Sequence, residues 1–211
     1  MRVLMITSEI VPFAKAGGLA DMVAALAAEL DRIGHEVRVV MPRYYGIDRG
    51  ALEVRGLPLG VPVGFGEKWC EVFESVLPDT EVPVYLLDHE QLFGRDGIYG
   101  SKVEPDFSDN VARFTLLCRG AFQLCKMLAW TPQVVHCHDW PSALAAVYLN
   151  TWESTGPFAD TGSVLTIHNL GYQGIYPKDE IHQTQLDWTH YHGSGFEHHG
   201  SLNLLKAGIH N

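Results

Sequence analysis

The sequence predicts an α/β fold: a doubly wound, mostly parallel sheet with helices on both faces. Two observations carry that expectation. An apolar run, RVLMIT, is followed by a glycine turn, a helix-spaced segment and a second apolar run, HEVRVVMP. The same order returns later, where QVVHCHD, SALAAVYLN and SVLTIHN read as strand, helix and strand. A strand, helix and strand joined this closely return to one sheet through a right-handed crossover, which makes the two strands parallel.

Each element has a local reason. RVLMIT is short, β-branched in part, and bounded by the polar pair Ser8-Glu9, as a buried strand is. Leu19, Met22, Val23, Leu26, Leu30 and Ile33 then recur at helical spacing, and Gly34 supplies the stop. HEVRVVMP restarts a strand. From Tyr44 to Gly66 glycines and the prolines Pro58 and Pro62 break any period, so loops and short edge strands are expected. EKWCEVFESV and VPVYLLD are strand-like and flank Pro78-Asp79, which suggests a hairpin-type insertion. Phe107, Val111, Phe114, Cys118, Ala121, Cys125 and Leu128 mark one face of a long helix. No repeat, low-complexity tract or linker interrupts the chain, so one domain over residues 1–211 is expected.

Composition narrows the function. With 46% hydrophobic residues among 211, the chain can bury a sizeable core. Net charge is −10 and no Lys/Arg cluster occurs, which argues against a nucleic-acid surface. No run reaches the roughly 18 apolar residues of a membrane span, and the start MRVLMITSE lacks the features of a secretory signal. A cytoplasmic protein with reduced cysteines is the expectation. Cys118 and Cys125 share a helical stripe but stand roughly 10 Å apart along it, too far for a disulfide.

In a doubly wound sheet, ligands sit beyond the carboxyl ends of the strands. Three polar stretches lie there: Ser8 to Asp21, His136 to Trp140, and His168 to Gly174. In the first, Gly17 and Gly18 at a helix start would let backbone N–H groups approach an anion, and Lys15 adds a positive charge. The alternative is a plain turn with a solvated lysine and Asp21 complementing the helix dipole. The stretch is neither G-x-G-x-x-G nor the phosphate loop G-x-x-x-x-G-K-[ST]. In the second, HCHDW invites a metal reading through His136 and His138, which alternation places on one strand face. Asp139 would accept hydrogen bonds from sugar hydroxyls or cap the next helix. The third puts His168 and Asn169 at the sheet mouth, as a site or as a core-edge histidine. Tyr99, on a Gly-flanked loop, would stack on a sugar face or anchor the loop. A zinc site built from the histidines of the tail, His182 to His210, remains a further reading.

Taken together, these residues resemble the N-terminal half of bacterial glycogen synthases and plant starch synthases. The motifs run in order: SEIVPFAKAGGLADMVAALAAEL, GHEVRVVMPRY, LFGRDGIYG, DNVARF, HCHDWPSALA, TIHNLGYQG and LNLLKAGI. The resemblance implies a retaining glucosyltransferase of GT-B architecture, two Rossmann-like domains facing across a cleft. Such an enzyme adds α-1,4-linked glucose from ADP-glucose or UDP-glucose to a glucan and needs no metal or other cofactor. By the same resemblance Lys15 with Gly17 and Gly18 approaches the donor phosphates. Asp21, Tyr99 and Asp139 line the glucan side with Glu9 nearby, and His168, next to Asn169, stands beside the transferred glucose. The family continues beyond LNLLKAGI into a second domain, so the resemblance also implies that these residues alone bind weakly and do not turn over. The alternative is a glucan- or nucleotide-binding module without catalysis.

Overall fold

A computed structural model describes all residues, 1–211. In chain order the elements are β1 (Arg2–Ile6), α1 (Gly18–Arg32), β2 (Glu36–Pro42), β3 (Glu53–Val54), β4 (Leu59–Val63), β5 (Gly66–Val76), β6 (Pro83–Asp88), α2 (Glu90–Phe93) and α3 (Asn110–Met127). There follow β7 (Val134–His138), α4 (Asp139–Asn150), β8 (Gly162–Thr166), β9 (Ile175–Pro177), β10 (Glu197–His198), β11 (Ser201–Asn203) and α5 (Leu204–Ile209).

One sheet organises the molecule, in the order β3-β5-β6-β2-β1-β7-β8, with β4 paired to β5. The run β6-β2-β1-β7-β8 is parallel throughout. β5 pairs antiparallel with β6, so the expected hairpin insertion is present, and Asp79 takes the left-handed turn conformation with φ +60°. From β1 the chain steps outward to β2, and after β6 it comes back across to β7 and on to β8. Right-handed crossovers in those two opposite directions put α1 on one face and α3 and α4 on the other. The reversal falls between β1 and β7, the place where an open α/β sheet forms its crevice.

The core follows from the apolar strand pattern. Leu4, Met5 and Ile6 of β1 and Val39, Val40 and Met41 of β2 are buried because central parallel strands are covered on both faces. A continuous cluster of 57 buried apolar residues includes Cys70, Cys118, Cys125 and Cys137, all free thiols. Phe107 lies one turn ahead of α3, although it packs in the core as the helical face predicted. α4 begins at Asp139, earlier than the sequence suggested, because Pro141 is tolerated in a first turn where its missing N–H is no loss. A second, antiparallel sheet, β10-β11-β9, joins the stretch before His182 to the histidine-bearing tail. No helix is long and apolar enough to cross a membrane.

Candidate active site

A cleft of about 860 Å³ opens at the carboxyl ends of β1 and β7. Glu9, Gly17, Gly18, Tyr99, Asp139, His168 and Asn169 all line it. Seven positions from four separate stretches of sequence therefore meet at one opening. Two others do not. Lys15 and Asp21 lie outside the lining and pair with each other, Nζ to Oδ2 at 2.7 Å, with their side chains 51% and 55% exposed. The flexible stem of Lys15 folds back on the first turn of α1, where a carboxylate is available.

Glu9 follows β1 and is buried. Its Oε2 accepts the Gly17 N–H at 3.0 Å and also the Ala16 N–H, and its Oε1 accepts the Tyr99 hydroxyl. The Gly17 amide is thus engaged by the chain's own carboxylate. The Gly18 and Leu19 amides, among the orphan donors of a helix start, have no protein acceptor. A Cβ added to Gly17 or Gly18 would meet no atom within 4 Å, and Gly17 has an extended φ of −149°. Neither packing nor backbone conformation demands these glycines.

Tyr99 anchors its loop while lining the cleft. Its hydroxyl also meets Ser8 Oγ at 2.8 Å, and burial, with the Glu9 charge, pushes its pKa well up. The ring lies 5.8 Å from Trp140 and 6.2 Å from Phe114. Its loop is braced from α3. Arg113, fully buried, donates to Leu92 O at 2.7 Å and Ile98 O at 2.8 Å, and Asn110 donates to Tyr99 O at 2.8 Å.

Asp139 does not cap α4. It takes φ +57°, and its Oδ1 accepts the backbone N–H of His168 at 2.6 Å and, more weakly, that of Asn169 at 3.4 Å. Positive φ is rare outside glycine but least so for Asp and Asn. The strand end therefore turns a carboxylate onto the neighbouring loop. Asn169 closes the loop further, its Oδ1 accepting the Gly171 N–H at 2.9 Å. Gly174 has φ +65°, and a Cβ there would stand 2.5 Å from the Trp140 ring, so only glycine fits.

His136 and His138 share a strand face as alternation predicted, with ring centroids 4.1 Å apart. Their nitrogens go to side chains of β8 and its loop: His136 Nε2 to Thr166 Oγ1 at 2.7 Å, His138 Nδ1 to His168 Nε2 at 3.2 Å. No three His, Cys, Asp or Glu side chains, in this cluster or in the tail, are grouped as a metal ion would require. Sequence reasoning did not single out Asp106 and Tyr176, which also line the cleft and join through Tyr176 OH to Asp106 Oδ1 at 3.0 Å. The signal that would have found them is position: each follows a glycine-flanked stretch already selected.

A profile of the starch synthase catalytic domain matches residues 2–211. The chain belongs to this family. Among its relatives, the glycogen synthase of Treponema denticola is 53% identical over 209 residues, and glycogen synthase 2 of Geobacter metallireducens is 44% identical over 213. Each alignment covers 99% of this chain and 43% of the relative, so the chain spans less than half the length of these family members. The catalytic domain of starch synthase IV from Arabidopsis thaliana, solved bound to ADP and acarbose, superposes with a TM-score of 0.86 at 24% identity, over 99% of this chain and 43% of that one. That likeness establishes the shared fold. The sheet and the cleft at its reversal point are built within these residues.

Proposed function

We propose that this chain forms the N-terminal, Rossmann-like domain of a retaining glucosyltransferase that adds α-1,4-linked glucose from ADP-glucose or UDP-glucose to a growing glucan. The observation that carries the reading is the helix mouth at Gly17 and Gly18. It faces the cleft with two unspoken-for amides, Gly18 and Leu19, and with glycines that no feature of the protein itself requires. A diphosphate fits there, because amide N–H groups and the helix dipole favour an anion while the missing Cβ atoms permit close approach. Lys15 then adds charge by leaving Asp21, an exchange between exposed groups that costs little.

The reading distributes the remaining residues by chemistry. Glu9, Tyr99 and Asp139 hold the two loops that border the glucan side, and His168 stands where positive charge develops on the transferred glucose, steadying it with a polar contact. Catalysis needs a second domain across the cleft, as the GT-B arrangement supplies, and no metal or other cofactor. The four buried thiols suit a cytoplasmic setting. The relatives named glycogen synthase and the plant structure with ADP support this assignment.

Joining the chain to the second domain of a relative and assaying glucan elongation with each nucleotide sugar tests the reading. Elongation is expected in the joined protein and absent from the 211 residues alone. Replacing His168 by Ala should lower turnover far more than apparent affinity. Binding of sugar or nucleotide without any elongation in the joined protein would favour a binding module instead.

A further inference from the structure

His138 is wholly buried at the end of β7 and does not line the cleft. Its Nδ1 lies 3.2 Å from His168 Nε2, while its own Nε2 is buried with no partner. His168 Nδ1, by contrast, takes no hydrogen bond within the chain, and His168 lines the cleft. Two neutral arrangements satisfy the contact. In one, His138 Nδ1–H donates to His168 Nε2 and leaves a bare lone pair at the buried His138 Nε2. In the other the direction reverses, and a buried N–H is orphaned at His138 Nε2. Orphaned buried N–H groups are rarer than under-used acceptors, so the first arrangement is favoured.

We propose that His138 is a positioning residue: it donates Nδ1–H to His168 Nε2 and so fixes His168 as the tautomer that carries its proton on Nδ1. The hydrogen bond at one ring nitrogen decides the proton at the other. His138 is suited to the task because it remains neutral; burial, with His136 and His168 beside it, lowers its pKa to about 2. His168 therefore meets a ligand as an N–H donor toward an oxygen lone pair, such as a sugar hydroxyl, and does not offer a basic nitrogen there. Free neutral histidine prefers the opposite tautomer, so the preference has to be imposed. Only the consequence for the ligand rests on the glucosyl-transfer reading; the tautomer is a property of this chain.

Nitrogen-15 NMR of the chain under mildly alkaline conditions reads the tautomer directly, with His168→Gln assigning the signals. A protonated, pyrrole-type Nδ1 and a bare, pyridine-type Nε2 are expected for His168. His138→Asn, whose amide N–H stands near the position of the lost Nδ1–H, should keep that pattern, and His138→Leu should move the proton to Nε2. A wild-type His168 protonated on Nε2 overturns the proposal without any variant, and so does an unchanged pattern in a folded His138→Leu. The Nδ1–H tautomer in a chain that elongates no glucan even when joined to the second domain of a relative would support this inference while removing the functional one.

Discussion

The backbone N–H of His168 donates to Asp139 Oδ1 at 2.6 Å. Two loops that leave adjacent parallel strands are thereby tied together beyond the sheet, and the tie is made by a residue in left-handed conformation. Asp139→Ala should destabilise the fold by about 2–4 kcal/mol, since it loses a charge-assisted acceptor and places alanine at positive φ. Asp139→Asn keeps the oxygen and tolerates the backbone, so its loss should stay near 1 kcal/mol. Urea unfolding of the two variants checks the difference; equal losses would show that the carboxylate oxygen is not what secures the loop.

Gly18→Ala separates folding from binding. Open space surrounds the new methyl and the site is helical, so stability should rise by about 0.4–1 kcal/mol. Affinity for ADP-glucose should fall, because the methyl stands where the phosphate must approach. Calorimetric titration beside thermal unfolding measures both; undiminished affinity would remove the helix mouth from the site.

Lys15 and Asp21 make an exposed pair, worth only about 0–1 kcal/mol to the fold. Lys15→Ala should leave stability nearly unchanged and weaken nucleotide-sugar binding about 10- to 150-fold, the worth of one charge-assisted contact to phosphate. Asp21→Asn frees the ammonium and should strengthen the same binding, by about two- to five-fold. Equal affinities across the three proteins would leave Lys15 paired with Asp21 and uninvolved.

His138 sets an acid limit on stability. Its pKa falls from an ordinary 6.5 to about 2 on folding, so below pH 6.5 the unfolded state binds the proton that the folded state refuses. Stability from this group is complete above pH 6.5 and drains as pH falls toward 2, at about 1.4 kcal/mol per pH unit through the middle of that window. His136 and His89, also lowered chiefly by burial, act in the same direction. Urea unfolding between pH 7 and pH 4 should show His138→Asn losing stability less steeply than the parent; parallel slopes would contradict a buried neutral His138.

The parallel strands and long helices were legible because a covered sheet forces continuous apolar runs and α3 forces a 3.6-residue stripe through Val111, Phe114 and Cys118. β9, β10 and β11 were not, since strands of two or three residues have no period to read. In the cleft, position after a strand was enough to bring Asp139 and His168 forward, while Glu9 came forward through the family resemblance. Which partner each takes was beyond reach. That Glu9 would spend its carboxylate on the Ala16 and Gly17 amides and on Tyr99, ninety residues away, depends on how two loops meet. Lys15 and Asp21 are six apart, a spacing that pairs no residues on one helix; they meet because the chain turns at Gly17.

The most direct test of the account is titration of the nitrogen-15-labelled chain with ADP-glucose and UDP-glucose, followed by NMR. Saturable shifts of the Gly18 and Leu19 amides, moving together with the Lys15 ammonium and the His168 and Asn169 amides, are predicted for at least one of the two. Silence at those five groups up to millimolar ligand, or shifts confined to the separate cavity near His190, His192 and His210, would contradict a diphosphate seat at the start of α1.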